Sequence, residues 1–410
     1  MVLVVEFYGN CSFMESKIVK TLELIKGKEI NLFRRHPWVF SGALLEIPVQ
    51  LEDGELVYVS DNKKQRLGFG HFHRGSIAIK MLYFGIADYK DEFWMNRMKD
   101  AFDLRMQFQF DENNTNCFRW IHGEGDQLPG LIVDMFDGIV VIQCHTIGMH
   151  KQIEQIAEGI KSIYSTKLMC IIDKSKESLP ADYGATIQNK ILFGNYDEAI
   201  CMENGFRFIV DCLTGQKTGF FLDQRENRKL LSHYAKGKTV LNAFSYSGGF
   251  SIYALGNGAK QVRSVDVSKK ALELLDQNLS LNNFATFPHE NSCADVNDYL
   301  KNMDSDYFDL IILDPPAFAK SISKRHAAVQ AYKRINLLAM KKIKKNGLLF
   351  TFSCSQVVDE QLFYNTIVSA GIESGRSIRV LHKLSQGPDH LVSLFHVEGS
   401  YLKGLVLLVD

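Results

Sequence analysis

Apolar positions along the chain follow three successive patterns. From about Ile18 to Tyr89 short alternations broken by glycines, such as Leu56-Val57-Tyr58-Val59 and Ser76-Ile77-Ala78-Ile79-Lys80, predict a small β-rich barrel. From about Asp91 to Asn195 the pattern predicts a separate α/β unit. It comprises a helix near Glu92 to Phe108, strands at Leu131-Ile132-Val133 and Ile139 to Ile142, a helix around His150 to Tyr164, and a strand from Leu168 to Ile172. Beyond Tyr196 a hairpin-like stretch leads into alternating strands and helices. Thr239 to Phe244, Val262 to Val267, Phe308 to Leu313 and Gly347 to Phe352 are apolar enough for buried parallel strands, and Leu272, Leu275 and Leu279 recur at helical spacing between them. This last region predicts one doubly wound sheet, with ligands at its strand ends. The division is a short extension over 1–17, then 18–89, 90–195 and 196–410.

A length of 410 residues exceeds one ordinary core, which agrees with several domains. Hydrophobic content of 46%, only 8 prolines and no repeats argue against long disordered arms. With 47 basic and 47 acidic residues the net charge is zero, so a nucleic acid would have to be met by a local patch. The 8 cysteines are scattered without CxxC pairs, which speaks against a zinc site or disulfide framework; no metal is expected, and a reduced cytoplasm is the simplest setting. The run Met1 to Gly9 is apolar but lacks a basic start and a cleavage site, so no signal peptide is expected, and no stretch approaches a membrane span. The first 13 residues are an upstream start or a short extra strand, with no function assigned.

Candidate chemistry lies at the strand exits. After the first strand of the sheet, Asn242-Ala243-Phe244-Ser245-Tyr246-Ser247-Gly248-Gly249-Phe250 carries paired glycines that let a cofactor approach the backbone before a helix begins. Asp266, eighteen residues after Gly248, closes the next strand where an acid accepts hydrogen bonds from ribose hydroxyls. On its own that pair also suits a nicotinamide enzyme or a plain turn. Leu313-Asp314-Pro315-Pro316-Ala317-Phe318 is more specific: two prolines stiffen the exit and set Asp314 over the crevice beside an aromatic ring, although a solvated strand-ending turn would also fit. Ser353-Cys354-Ser355 ends the following strand on the same edge. Its cysteine is either an inert buried thiol or, beside an aspartate and a cofactor crevice, a nucleophile.

Three other segments carry two readings each. Lys26-Gly27-Lys28 followed by Arg34-Arg35-His36-Pro37-Trp38 could contact phosphates and stack on a base, or be solvated charges around a core tryptophan. Gly123 to Gly130 is a ligand loop or a tight turn. Lys320 to Lys345 holds nine basic residues and no acidic one, and is a solvated helix face or an RNA contact.

Taken in order, these motifs resemble the bacterial large-subunit rRNA methyltransferase I family, S-adenosylmethionine-dependent enzymes that methylate C5 of a cytosine in 23S rRNA. The resemblance spans nearly the whole chain. It runs through Arg34-Arg35-His36-Pro37-Trp38-Val39-Phe40-Ser41-Gly42 (similar to that family's PUA domain), Gly123 to Val133, Thr218-Gly219-Phe220-Phe221-Leu222-Asp223-Gln224-Arg225, Phe244 to Gly248, Asp314 to Phe318, Ser353 to Ser355, and Pro388-Asp389-His390. It implies a Rossmann-like class I methyltransferase sheet at the C-terminus, a small α/β middle domain and an N-terminal β-rich PUA-like barrel.

The resemblance also implies S-adenosyl-L-methionine as cofactor, with Gln224 and Arg225 at its entrance, Phe244, Ser245 and Gly248 around its methionine portion, Asp266 on the ribose and Asp295 at the adenine. Asp314 would border the cofactor and face the cytosine, and Cys354 would attack it. Arg34, Arg35, Trp38, Lys320, Lys324 and Arg325 would contact RNA. The partner implied is 23S rRNA or a large-subunit precursor, with no membrane; a homodimer is left open. Many RNA cytosine-C5 methyltransferases carry a second cysteine in the Asp314 loop, whereas here Pro316 is followed by Ala317, so release must use another base. The rivals are a methyltransferase for another rRNA base or atom, a noncatalytic RNA-binding assembly factor, and a nicotinamide oxidoreductase, for which the Asp314 loop offers no hydride-acceptor site.

Overall fold

The computed structural model describes residues 20–108, 110, 114–196 and 198–410; the extension assigned to 1–17 lies outside them. The N-terminal part comprises β1 (Lys20–Glu23), α1 (Ile30–Phe33), β2 (Trp38–Phe40), β3 (Leu56–Ser60), β4 (Arg66–Phe72) and β5 (Ile77–Phe84), in the sheet order β1-β3-β4-β5-β2. Alternation along β3 buries Val57 and Val59 against Phe72 and Ile79. The sheet does not close into the expected barrel. β2 is only 3 residues long, its register with β5 shifts between Val39 and Phe40, and a 3-10 turn follows at Ser41, so among the described residues β1 and β2 are joined only through the Leu24–Leu44 bridge.

The middle part contains α2 (Phe93–Met106), β6 (Cys117–His122), β7 (Leu131–Phe136), β8 (Ile139–Cys144), α3 (Ile147–Lys151), α4 (Ile153–Tyr164), β9 (Cys170–Asp173), α5 (Ala181–Gly184) and β10 (Lys190–Gly194), ordered β10-β9-β8-β7-β6. One face packs on α2 and α4 through Trp94, Met98, Ile156 and Ile160. The other face shares a core with the C-terminal part through Phe136, Val141 and Ile172. With both faces covered, β8 reads as a continuous apolar run rather than an alternation. The helix expected from His150 is two helices, because Gln152 leaves helical geometry with φ −100° and ψ 9°.

A hairpin of β11 (Ala199–Glu203) and β12 (Phe206–Val210) leads to α6 (Arg225–Ala235), β13 (Thr239–Ala243), α7 (Gly249–Gly256), β14 (Gln261–Asp266), α8 (Lys269–Leu281) and β15 (His289–Cys293). The chain continues with α9 (Val296–Asn302), β16 (Leu310–Leu313), α10 (Arg325–Lys342), β17 (Gly347–Ser353), α11 (Glu360–Ser374), β18 (Ile378–Ser385) and β19 (Lys403–Val409). The 7-stranded sheet runs β15-β14-β13-β16-β17-β19-β18, parallel from β13 to β17, with β19 antiparallel to both of its neighbours. Leu231, Phe250, Leu272 and Leu275 cover one face, and Leu300, Tyr332, Ile335 and Phe363 the other. Strand order reverses between β13 and β16, which opens a crevice at the carboxyl ends.

Candidate active site

The loop after β13 carries unusual backbone. Phe244 (φ 61°) and Tyr246 (φ 45°) are non-glycine residues in the left-handed region, a strain that concentrates at functional sites. Gly248 (φ 83°) has to be glycine, since a Cβ there would lie 2.5 Å from Leu275 Cγ. Neighbours hold the strain in place. Asn278 Nδ2 of α8 donates to the Ser247 carbonyl at 2.9 Å, and the Tyr246 hydroxyl donates to the Gly219 carbonyl at 3.2 Å. Asp266 Oδ2 accepts the Tyr246 N–H at 2.9 Å and its Oδ1 the Ser268 N–H at 2.8 Å. Each carboxylate oxygen keeps one accepting position for a hydroxyl.

Ser245 Oγ and Ser247 Oγ are buried beside this loop with no hydrogen-bond partner, which is the signature of a polar group that a ligand satisfies. Together with the approach that Gly248 permits, these residues fit the amino-acid and ribose portions of a nucleoside cofactor. Asp295 follows β15, is exposed, and caps α9 by accepting the Asp298 N–H at 3.2 Å.

The exits of β16 and β17 meet. Cys354 Sγ lies 3.9 Å from the Pro315 carbonyl oxygen, and Ser355 Oγ donates to the Ala319 carbonyl at 2.6 Å, stapling the two loops. Gln224 is buried at the start of α6 and donates through Nε2 to Asp314 Oδ1 at 3.0 Å. Burial, then the nearby Asp223 charge, lifts the Asp314 carboxyl to about 7. Burial, then Asp314 and Asp223, pushes the Cys354 thiol up to about 12, opposed by Lys217 and Lys403. The resting thiol is therefore protonated, whereas attack by sulfur requires the thiolate. Lys403, opposite Ser353 in the β17–β19 ladder, donates to the Ser355 carbonyl at 2.7 Å, and burial lowers its ammonium to about 8.

Asp223 and Lys403 are functional candidates that the sequence reading did not single out. Asp223 lies within the Thr218 to Arg225 motif beside Gln224, so a signal existed. Lys403 had none, because only the insertion of β19 between β17 and β18 brings it near Cys354.

Two expected residues have partners within the protein. Arg225, expected at the cofactor entrance, is 1% exposed and paired with Asp389 Oδ1 at 2.9 Å, with its guanidinium over Phe110. Trp38, expected to face RNA, donates through Nε1 to Glu124 Oε1 at 3.0 Å and has His396 against its ring at 4.4 Å. Exposed side chains nearby include Phe33, Arg34, Arg35 and Phe40. The Gly123 turn is a junction rather than an open loop: Glu124 meets Trp38, Asp126 meets Arg105, and a Cβ on Gly125 would stand 2.1 Å from the Leu391 carbonyl oxygen. Lys320, Lys324 and Arg325 are all exposed at and before the start of α10.

Sequence comparison decides what this crevice belongs to. A family model described as S-adenosylmethionine-dependent methyltransferase matches residues 119–389, and a PUA-like domain model matches residues 22–84. Ribosomal RNA large subunit methyltransferase I of Alteromonas mediterranea is 37% identical, covering 92% of this chain and 96% of its own; that of Escherichia coli O139:H28 is 34% identical, covering 95% and 99%. The chain belongs to this methyltransferase family. S-adenosylmethionine is the methyltransferase's cofactor, and a PUA-like domain precedes its catalytic part. The fold is shared with a candidate S-adenosylmethionine-dependent methyltransferase from Streptococcus mutans at TM-score 0.81 and 22% identity, covering 95% of this chain and 100% of that one.

Proposed function

We propose that this enzyme forms 5-methylcytosine in 23S rRNA, on naked RNA or a large-subunit precursor, through a Cys354 adduct. The observation that carries the reading is the meeting of Cys354 with the Asp314 loop, 3.9 Å from Sγ to the Pro315 carbonyl, at the exits of β16 and β17 beside the switch point of the sheet. The substrate follows from the names of the relatives, which act on large-subunit rRNA. Gln224, Phe244, Ser245, Gly248, Asp266 and Asp295 would hold S-adenosylmethionine, which supplies an electrophilic methyl on a positively charged sulfur.

Cytosine C5 is a weak nucleophile because the ring holds its electrons. The Cys354 thiol gives up its proton to solvent, and addition of its sulfur to C6 turns C5 into an enamine carbon. Asp314, with its carboxyl near 7, is half protonated at neutral pH and donates a proton to N3 as the sulfur adds. Its protonation also removes one of the charges that oppose thiolate formation, while Lys217 and Lys403 favour the thiolate. The target base must leave its stack to be reached. Arg34 and Arg35 with Phe33 and Phe40, and the Lys320, Lys324 and Arg325 group, supply cations and rings suited to RNA.

One observation favours a rival, methylation of another base atom without an adduct: the resting thiol is protonated. RNA carrying 5-azacytosine separates the two. It should trap wild-type enzyme as a species that survives denaturing electrophoresis, and Cys354→Ala should bind cofactor yet lose both the trap and at least a thousandfold in turnover. Full activity in Cys354→Ala with methyl on C5 would overturn the mechanism, and methyl on another atom would overturn the substrate as well.

A further inference from the structure

We propose that Asp223 is the base that removes the C5 proton, an inference that rests on the cytosine-C5 reading. After methyl transfer C5 carries both the methyl and its original hydrogen, and the sulfur of Cys354 stays on C6 until that hydrogen leaves as a proton. With Ala317 after Pro316, the Asp314 loop offers no thiol for the task. The crevice has few other acceptors. Asp314 is committed to the N3 proton. Lys403 is a donor to the Ser355 carbonyl. The buried Tyr332 hydroxyl is pushed up to about 12 and keeps its proton.

Asp223 meets the geometric requirement. It sits in the 3-10 turn Leu222–Gln224, and the next side chain, Gln224, bridges to Asp314 at 3.0 Å. Its charge acts on both Asp314 and Cys354, which places its carboxylate at the same edge of the sheet as the two reacting groups. Oδ2 accepts the Tyr401 hydroxyl at 2.6 Å, and burial holds that hydroxyl well above its usual range, so it remains a donor. Oδ1 is buried and has no hydrogen-bond partner. A buried carboxylate oxygen without a partner is costly unless something in the working cycle fills it. One oxygen is thus anchored and the other left free to accept.

The step balances. Asp223 Oδ1 takes the proton from C5, the C–H electron pair becomes the C5–C6 double bond, and the C6–S pair leaves with Cys354 as thiolate. N3 returns its proton to Asp314, and Asp223 passes the C5 proton to solvent.

Asp223→Asn keeps the shape and removes the basicity. On ordinary cytosine RNA with labelled S-adenosylmethionine it should transfer about one methyl per enzyme and stop, leaving a methyl-bearing covalent enzyme–RNA species on a denaturing gel. Steady turnover should fall at least a hundredfold, and Asp223→Glu should restore part of it with less adduct. Should the amide variant fail to fold, Asp223→Ser carries the same expectation. Turnover within a few-fold of wild type, or slow turnover with no methylated adduct, would overturn the assignment. Cys354→Ala in the same assay separates the two layers: methylation of C5 without the thiol overturns the covalent reading and the base with it, whereas a Cys354-dependent reaction without adduct in Asp223→Asn overturns Asp223 alone.

Discussion

Two regions of this molecule bury charge, and they do so in opposite ways. Where the middle sheet meets α6 and the segment after β18, Arg119 pairs with Asp134 through two contacts of 2.8 Å, Arg105 pairs with Asp126, and Arg225 pairs with Asp389 at 2.9 Å. Thr218 Oγ1 also donates to Asp134, at 2.6 Å, tying the loop that precedes Asp223 to the same clasp. Every carboxylate there faces a guanidinium, and Asp389 is held well below the usual carboxylate range by Arg225 and His390, which outweigh its burial. In the crevice Asp314 is half-buried and faces an amide and another carboxylate, and it moves the other way, to about 7. Burial alone therefore does not mark a functional acid. What distinguishes the two regions is whether the protein supplies the counter-charge itself or leaves it to a ligand.

The contrast can be broken most severely at Asp314. Asp314→Asn should lower kcat by roughly 10²- to 10⁴-fold, the usual worth of a positioned proton donor. In wild type the rate should fall as pH rises through about 7, because the protonated carboxyl is the working form, and the variant should lose that limb of the profile. Stability should move in a defined direction too. A carboxyl raised on folding binds its proton more tightly in the folded state, so wild type should lose stability from about pH 4 to 7 while Asp314→Asn does not; denaturation midpoints at pH 5 and 8 test this.

On the clasp side, Arg225→Met leaves Asp389 buried without its main partner and should destabilise the fold by about 3–5 kcal/mol in urea unfolding. Cofactor affinity of the folded fraction should change less than a few-fold; a stable variant that cannot bind S-adenosylmethionine would return Arg225 to the cofactor entrance. The mildest effect belongs to Asp266, which lies between the two cases because backbone N–H groups already fill half of its capacity. Asp266→Ala should weaken cofactor binding by about 1–3 kcal/mol. Unchanged affinity by calorimetry would remove Asp266 from the site.

Much of the sheet was legible because its inner strands are apolar throughout, and the exits of β13, β14, β16 and β17 fall within a residue or so of where hydrophobicity stops. β15 escaped notice because His289-Glu290-Asn291-Ser292-Cys293 is a polar edge strand that needs only one paired side. β18 alternates weakly and is mostly exposed, and β19 lies eighteen residues later yet pairs inside it, a connection that no local pattern announces. At the site, Asp314 and Cys354 were legible as strand ends on one edge. For Arg225 and Trp38 the sequence could not show their partners within the protein, because an arginine beside a motif and a tryptophan among cations look alike whether they face a ligand or close an interface; Asp389 and His396 are distant in sequence.

The place of β19 has a bearing on how the crevice is completed. Tyr401 precedes this strand and Lys403 opens it, and it enters the sheet last in chain order, joining the edge strand β18 to β17. The Tyr401 hydroxyl on Asp223 and the Lys403 ammonium on the Ser355 carbonyl therefore come from the same short segment. Seating one strand extends the sheet and furnishes both sides of the crevice floor at once.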